Sequence, residues 1–173
     1  LLVATGVAVA LVSFFIGAVN PAAIFARALG KDLSQGSGNP GATNAGRVMG
    51  RKWGVLVGVL DVLKGVVPAL VASLTLGLFF AYVAGFAAVL GHVYSPFLKG
   101  RGGKGVATAL GAVLAVHPLV AGVLVAIFGV VFVASRWVAL SSVAAALGLI
   151  GVAIAAEVGA TWAGLQGWTS ALW

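Results

Sequence analysis

The strongest constraint on this chain is the length of its uncharged apolar runs. Leu1 to Ala26 contains no Asp, Glu, Lys or Arg, and a helix of that length crosses a hydrocarbon core about 30 Å thick. Val106 to Ala134 is also uncharged. Inside lipid the backbone must satisfy its own polar groups, so such runs select helices over loops and open sheet edges. Of 173 residues, 62% are hydrophobic and only 8% are charged, with a mean hydropathy of +1.18. The expected fold is therefore an all-α integral membrane protein of about seven transmembrane or partly re-entrant helices. The uncharged start reads as a first span, not as a cleaved signal, because no small-residue cleavage site precedes a soluble body.

Charge then orients the spans. Of the 10 Lys and Arg, all but Lys64 and Arg136 lie in two segments, Arg27 to Lys52 and Lys99 to Lys104. The positive-inside rule puts both in the cytoplasm and the N-terminus outside. A net charge of +7 could suit nucleic acid, but these cations sit in short loops between apolar runs and form no broad basic face, so no nucleic-acid partner is expected. With no cysteine there is no disulfide framework or thiolate chemistry.

Asn20-Pro21 interrupts the first run near its cytoplasmic end. Proline there breaks or bends a helix, which lipid tolerates where neighbouring protein or a polar cavity satisfies the released carbonyl. A second span is expected from Trp53 to about Leu74 and a third from about Leu78 to Phe97. His117-Pro118 divides the next uncharged run, giving a first piece of about 12 residues, short for a span, before a longer one returns to Arg136. A further span ends at Glu157, and Gly159 to Trp173 reads as an incomplete or interfacial seventh helix.

Two polar turns interrupt this oily background. The first is Gly36-Ser37-Gly38-Asn39-Pro40-Gly41-Ala42-Thr43-Asn44, closed by Arg47. Its glycines let backbone approach a ligand, its side chains donate hydrogen bonds, and Arg47 can fork two donors toward phosphate. Successive amides in such a turn can form an anion-binding nest. The same residues also suit an ordinary solvated turn. The second turn runs from Ser95 to Gly105 and includes Gly102, Gly103 and Lys104, with His92 just before it and a helix expected to follow. Within the second span, Asp61 and Lys64 are three residues apart and share a helical face. Such charges neutralise one another toward the protein interior. They form either a structural pair or an anion site with Lys64 as its floor and Asp61 as its orienter.

Only 3 acidic residues are present, and none are close in sequence, which argues against a metal-dependent phosphotransferase. No acid stands five residues after either histidine, where Phe97 and Gly122 are found. Gly100 to Gly105 does not form a Walker loop. The remaining chemistry is a metal-free cationic site with hydroxyl, amide and imidazole donors, suited to phosphate-bearing molecules at a membrane surface. A carrier or channel for such anions is the alternative, since broken helices around a midplane Asp and Lys also describe transport paths.

Lys31-Asp32, GSGNPGATN and Arg47, then DVLKG from Asp61, then GHVYSPFLKGRGGKGVAT from Gly91 together resemble the PlsY-type acyl-phosphate:glycerol-3-phosphate acyltransferases of bacteria. The resemblance covers most of residues 14 to 112 in the family's order. It implies a multi-pass enzyme of the bacterial inner membrane with its active site on the cytoplasmic side. It also implies transfer of a fatty acyl group from acyl phosphate to the 1-hydroxyl of glycerol 3-phosphate, among membrane lipids and without metal or cofactor. By the same resemblance Ser37 and Arg47 are essential and His92 falls on the family's His-plus-basic-turn motif, where it is expected to act in catalysis as general base or as donor to the developing oxyanion. Gly36, Gly38, Asn39, Gly41, Thr43, Asn44, Lys64, Gly65, Gly102, Gly103 and Lys104 would bind substrate phosphate, with Asp61 orienting. Ser34 stands where the family usually carries Arg. Residues 1–173 are expected to form one acyltransferase domain lacking the family's C-terminal His-Arg-x-x-Asn motif. Acyl phosphate is already activated, so direct transfer is expected in preference to a Ser37 acyl-enzyme, there being no acid-oriented histidine visible to activate that serine.

Overall fold

The computed structural model describes residues 1–157. Helices are α1 (Leu2–Ala18), α2 (Pro21–Ala28), α3 (Ala42–Met49), α4 (Arg51–Leu76), α5 (Leu78–Val93), α6 (Val106–Val116), α7 (Pro118–Ser135) and α8 (Val138–Glu157). The described residues contain 5 helical stretches long and apolar enough to cross a membrane, with α1 and α2 together making the first, and α6 is a shorter apolar helix. This is the all-helical membrane architecture the composition demands. The expected seventh helix, over 159–173, lies outside the described residues.

The chain clusters into two compact units that divide at His117. In the first, α5 packs against both α1 and α4, α6 lies against α4, and α3 covers the start of α4. In the second, α7 and α8 pack together across the two-residue connection Arg136-Trp137.

Small residues make the first unit possible. Lipid tails are as apolar as leucine, so helices associate through close packing and hydrogen bonds. Two reciprocal glycine crossings supply that closeness. A Cβ on Gly17 would overlap the Ala88 carbonyl, and one on Gly91 would overlap the Phe14 carbonyl, which locks α1 to α5. Likewise Gly65 abuts the Thr108 carbonyl and Gly111 the Val62 carbonyl, which locks α4 to α6. Gly65, expected on substrate phosphate, brings the backbones of α4 and α6 together.

The sequence reading leaves Arg27 to Lys52 as a loop, but its second half folds as α3. Ala42, Ala45, Val48 and Met49 recur at helical spacing, and Ala45 packs with Ala22 and Val57 in a small core flanked by Phe25, Leu33, Ala42 and Met49. That core seats the first polar turn on the membrane helices.

Candidate active site

The expected interruption at Asn20-Pro21 is the organising joint of the site. Helix α1 stops at Ala18 and α2 begins at Pro21, with Asn20 as its N-cap. Proline suits the first helical position, where its missing N–H is no loss. The Asn20 side-chain oxygen accepts from the Ala23 amide at 2.8 Å, a donor that an unbroken helix would direct to the Val19 carbonyl. The carbonyls released at the break find partners from elsewhere in the fold. Ser95, buried at the start of the second turn, donates from Oγ to Ala18 O at 2.7 Å. Lys64 Nζ donates to Val19 O at 2.8 Å. Asn20 Nδ2 donates to Pro40 O in the first turn at 2.9 Å. Three consecutive residues, about 7 Å of chain at full extension, thus hold both polar turns and the intramembrane lysine at one end of the bundle.

The first turn is braced from within. Asn44 is 1% exposed; its Oδ1 accepts from Ser37 N at 2.7 Å and its Nδ2 donates to Leu33 O at 2.8 Å. The Gly36 and Gly38 amides donate to Leu33 O at 3.3 and 3.1 Å, and the Gly41 amide donates to Asn39 O at 2.9 Å. Gly38 has φ +74°, and a Cβ on Gly36 would overlap Asn44 Oδ1, so glycine is required by the turn itself. The amides of Gly36, Ser37, Gly38 and Gly41, expected as an open nest for phosphate, donate within the loop. Asn44 is likewise engaged in bracing. The side chains of Ser37, Asn39, Thr43 and Arg47 take part in no hydrogen bond or ion pair among the described residues, and Ser37, Thr43 and Arg47 are exposed. N-cap Gly41 gives α3 no side-chain cap, leaving its first-turn amides directed away from the helix.

Ser34, at the position where Arg is usual, closes a local turn with Asp32. Its hydroxyl donates to Asp32 Oδ2 at 2.6 Å and its amide to Oδ1 at 2.9 Å. The hydroxyl first, then the amide, holds the exposed Asp32 carboxyl below its ordinary value by favouring the charged form.

Deeper in the bundle, Asp61 and Lys64 form the expected ion pair, with Nζ 3.0 Å from Oδ1 and both side chains buried. His92 on α5 brings its Nδ1 within 3.5 Å of the same oxygen. This neighbour was not visible in the sequence, since it comes from a different helix, and it corrects the statement that no carboxylate orients a histidine. Neither Asp61 Oδ1 nor His92 Nδ1 has an aligned hydrogen bond, so both contacts are electrostatic approaches and not linear bonds.

The second turn wraps the end of α5. The Gly102 amide donates to Val93 O at 2.9 Å and the Gly103 amide to His92 O at 3.1 Å, which satisfies carbonyls the helix leaves open. A Cβ on Gly103 would overlap His92 Nε2, and one on Gly102 would overlap His92 O. Both glycines, expected as amide donors for phosphate, form a close backbone cover over His92. Lys104 is exposed and takes part in no ion pair or hydrogen bond among the described residues. No group of three or more His, Asp, Glu or Cys able to hold a metal occurs among the described residues.

Comparison with known proteins follows the same residues. The family described as Glycerol-3-phosphate acyltransferase matches residues 7–172. The glycerol-3-phosphate acyltransferase of Aquifex aeolicus (strain VF5) is 44% identical over 138 residues, covering 78% of this chain and 72% of its own. That of Geobacter sulfurreducens is 48% identical over 139 residues, covering 78% and 71%. Among solved structures, PlsY (YgiH), an integral membrane glycerol 3-phosphate acyltransferase, aligns in its glycerol 3-phosphate form with a TM-score of 0.80 at 41% identity, over 83% of this chain and 74% of that one. Its lysophosphatidic acid form aligns with a TM-score of 0.81 at 39% identity, over 87% and 77%. With the match running nearly end to end and the helical frame shared with those structures, this chain belongs to the glycerol-3-phosphate acyltransferase family.

Proposed function

We propose that this glycerol-3-phosphate acyltransferase draws its acyl group from an acyl phosphate, transfers it to the 1-hydroxyl of glycerol 3-phosphate, and releases lysophosphatidate and inorganic phosphate. It does so in the bacterial inner membrane with its site facing the cytoplasm. The observation that carries the reading is the joint at Ala18-Val19-Asn20, where both polar turns and Lys64 are tied to consecutive residues. A two-phosphate reaction at a bilayer surface needs two cationic positions fixed relative to each other, and this joint supports that arrangement. The two glycerol 3-phosphate acyltransferase structures aligned above are described with glycerol 3-phosphate and with lysophosphatidic acid, one as acceptor and the other as product of such a transfer.

In this reading Arg47, Ser37, Asn39, Thr43 and the first-turn amides of α3 face one phosphate, and Lys104 and Lys64 add positive charge. Arg47 carries the bidentate part. The acyl chain lies among helices and lipid. Electrophilic activation is already present in the mixed anhydride, so the protein supplies position and charge stabilisation. His92, with Nδ1 3.5 Å from Asp61 Oδ1, accepts the hydroxyl proton or passes it to a substrate phosphate. Transfer is direct: His92 is oriented by a carboxylate, yet no hydrogen bond joins it to Ser37 among the described residues. Purified protein given acyl phosphate and glycerol 3-phosphate is expected to release phosphate and form lysophosphatidate with no ion gradient. An obligatory requirement for acyl-CoA or acyl carrier protein would overturn the donor assignment, and an acylated Ser37 trapped in a single turnover would overturn direct transfer.

A further inference from the structure

We propose that Asn20 is a positioning residue for acyl transfer, setting the distance between the Ser37–Arg47 turn and Lys64. The inference rests on reading that turn as a phosphate site. Asn20 is 4% exposed, and its two polar atoms do different work. Oδ1 caps α2 through Ala23 N, whereas Nδ2 reaches the Pro40 carbonyl, 20 residues along the chain. The cap needs only an oxygen; Ser, Thr or Asp provides one. The reach to Pro40 needs a donor on the longer amide arm, which the cap alone does not explain.

The turn that Asn20 holds is stiff. Asn44 ties Ser37 to Leu33 through its two ends, and the glycine amides return to Leu33 and Asn39. A stiff turn moves as a body, so its attachment points decide where Arg47 sits. One attachment is the α3 contact of Ala45 with Ala22 and Val57. The other is the Asn20 amide on Pro40. Directly beside Asn20, the Val19 carbonyl receives Lys64 Nζ, so the cation of α4 and the turn share one reference point. Loosening the Pro40 bond lets the turn shift while Lys64 stays in place.

Replacing Asn20 by Ser keeps a capping hydroxyl and gives up the reach to Pro40. In full-length protein in lipid nanodiscs, Asn20→Ser is expected to raise the KM of one phosphate-bearing substrate about 3- to 10-fold, the factor for one lost hydrogen bond. The other KM should stay close to the parent, while the unsatisfied Pro40 carbonyl lowers the thermal unfolding midpoint by a few degrees. A residue that merely stabilised α2 would instead lower the active fraction and hence kcat, leaving both KM values alone. Parental KM values for both substrates, or a kcat loss alone, would overturn the proposal. Asn20→Asp tests the same contact harder: it keeps the shape and the cap but turns an acceptor on the Pro40 carbonyl, and its KM is read on the folded fraction isolated by size-exclusion chromatography. Its KM should rise further than that of the serine variant, and a parental KM there also overturns the proposal. Thr75→Ala, which removes an exposed hydroxyl bonded within α4, serves as the unaffected control. Arg47→Ala separates the two levels of argument. If it leaves both KM values unchanged, the phosphate-site reading fails; if it raises one and Asn20→Ser does not, only the role of Asn20 fails. All assays use whichever acyl donor supports turnover of the parent.

Discussion

Replacing Asp61 by Asn tests how the buried charges are balanced. The Lys64 ammonium lies 3.0 Å from Asp61 Oδ1, with the two side chains 8% and 3% exposed. At that distance and an effective dielectric of about 20, the attraction is on the order of 5 kcal/mol. Desolvation offsets much of it, so the pair as a whole contributes little net stability. Removing one partner is different, because it leaves an uncompensated charge, with an expected cost of about 3–5 kcal/mol. For a chain of this size that corresponds to a fall in the unfolding midpoint on the order of 6–20 °C. Asp61→Asn should therefore unfold early in detergent, measured by circular dichroism or intrinsic tryptophan fluorescence. It should also lose activity, since both Lys64 and His92 lose the carboxylate they share. The double replacement Asp61→Leu with Lys64→Met is expected to recover most of the stability, as apolar replacements of buried pairs commonly do, while remaining inactive. Recovery of both stability and turnover in the double variant would refute a role for Lys64 beyond structure. Parental stability in Asp61→Asn alone would refute the charge argument.

Other expectations follow from single contacts. Gly103→Ala puts a methyl group into His92 Nε2, so kcat should fall about 100-fold for a displaced catalytic group, with helix content by circular dichroism unchanged. Arg47→Lys keeps the charge but loses the planar fork, and kcat/KM should drop about 10- to 100-fold in a steady-state phosphate-release assay. Gly91→Val separates α1 from α5 against the Phe14 carbonyl and should cost about 1–3 kcal/mol, read as a lower unfolding midpoint. Asp32 has a lowered native pKa caused chiefly by the Ser34 hydroxyl, so its contribution to the turn is complete above the ordinary aspartate range and is lost as pH falls through the lower native value. Asp32→Ala should abolish that acid-dependent step in hydrogen exchange of the Ser34 amide.

The spans were legible because lipid leaves few options: uncharged runs of this length become helices, and Asn20-Pro21 has to end one. The Asp61–Lys64 pair was legible too, since spacing of three on one helix needs no tertiary knowledge. His92 joining it was not, because only the packing of α5 on α4 brings Nδ1 to Asp61. The glycine turns illustrate a different limit. Their composition correctly marks tight backbone, but sequence does not say whether the amides face a ligand or the loop itself. Here they face Leu33, Asn39, His92 and Val93. The buried Asn44 and the 8-residue helix α3 were available as a signal in the Ala42, Ala45 and Met49 spacing, which the polar character of the stretch obscured.

The engagement of the turn amides within their own loops changes what selectivity for an anion must rest on in the proposed reading. A nest of backbone N–H groups binds oxyanions of many kinds, because its donors are fixed by turn geometry alone. In this chain the turn amides are engaged in holding the loops shut, so in the proposed reading recognition falls to the first-turn amides of α3 and to side chains, chiefly Arg47 and Lys104, and these two side chains are exposed. Exposed cations on their own are weak discriminators, since water and salt screen them. Their placement therefore matters more than their number. The helix break at Ala18-Val19-Asn20 supplies that placement by offering two bare carbonyls and one amide side chain at a depth where none could remain unsatisfied. The same constraint that forces lipid-embedded chains into helices makes a broken helix a strong fixing point, and the polar turns are fastened to it.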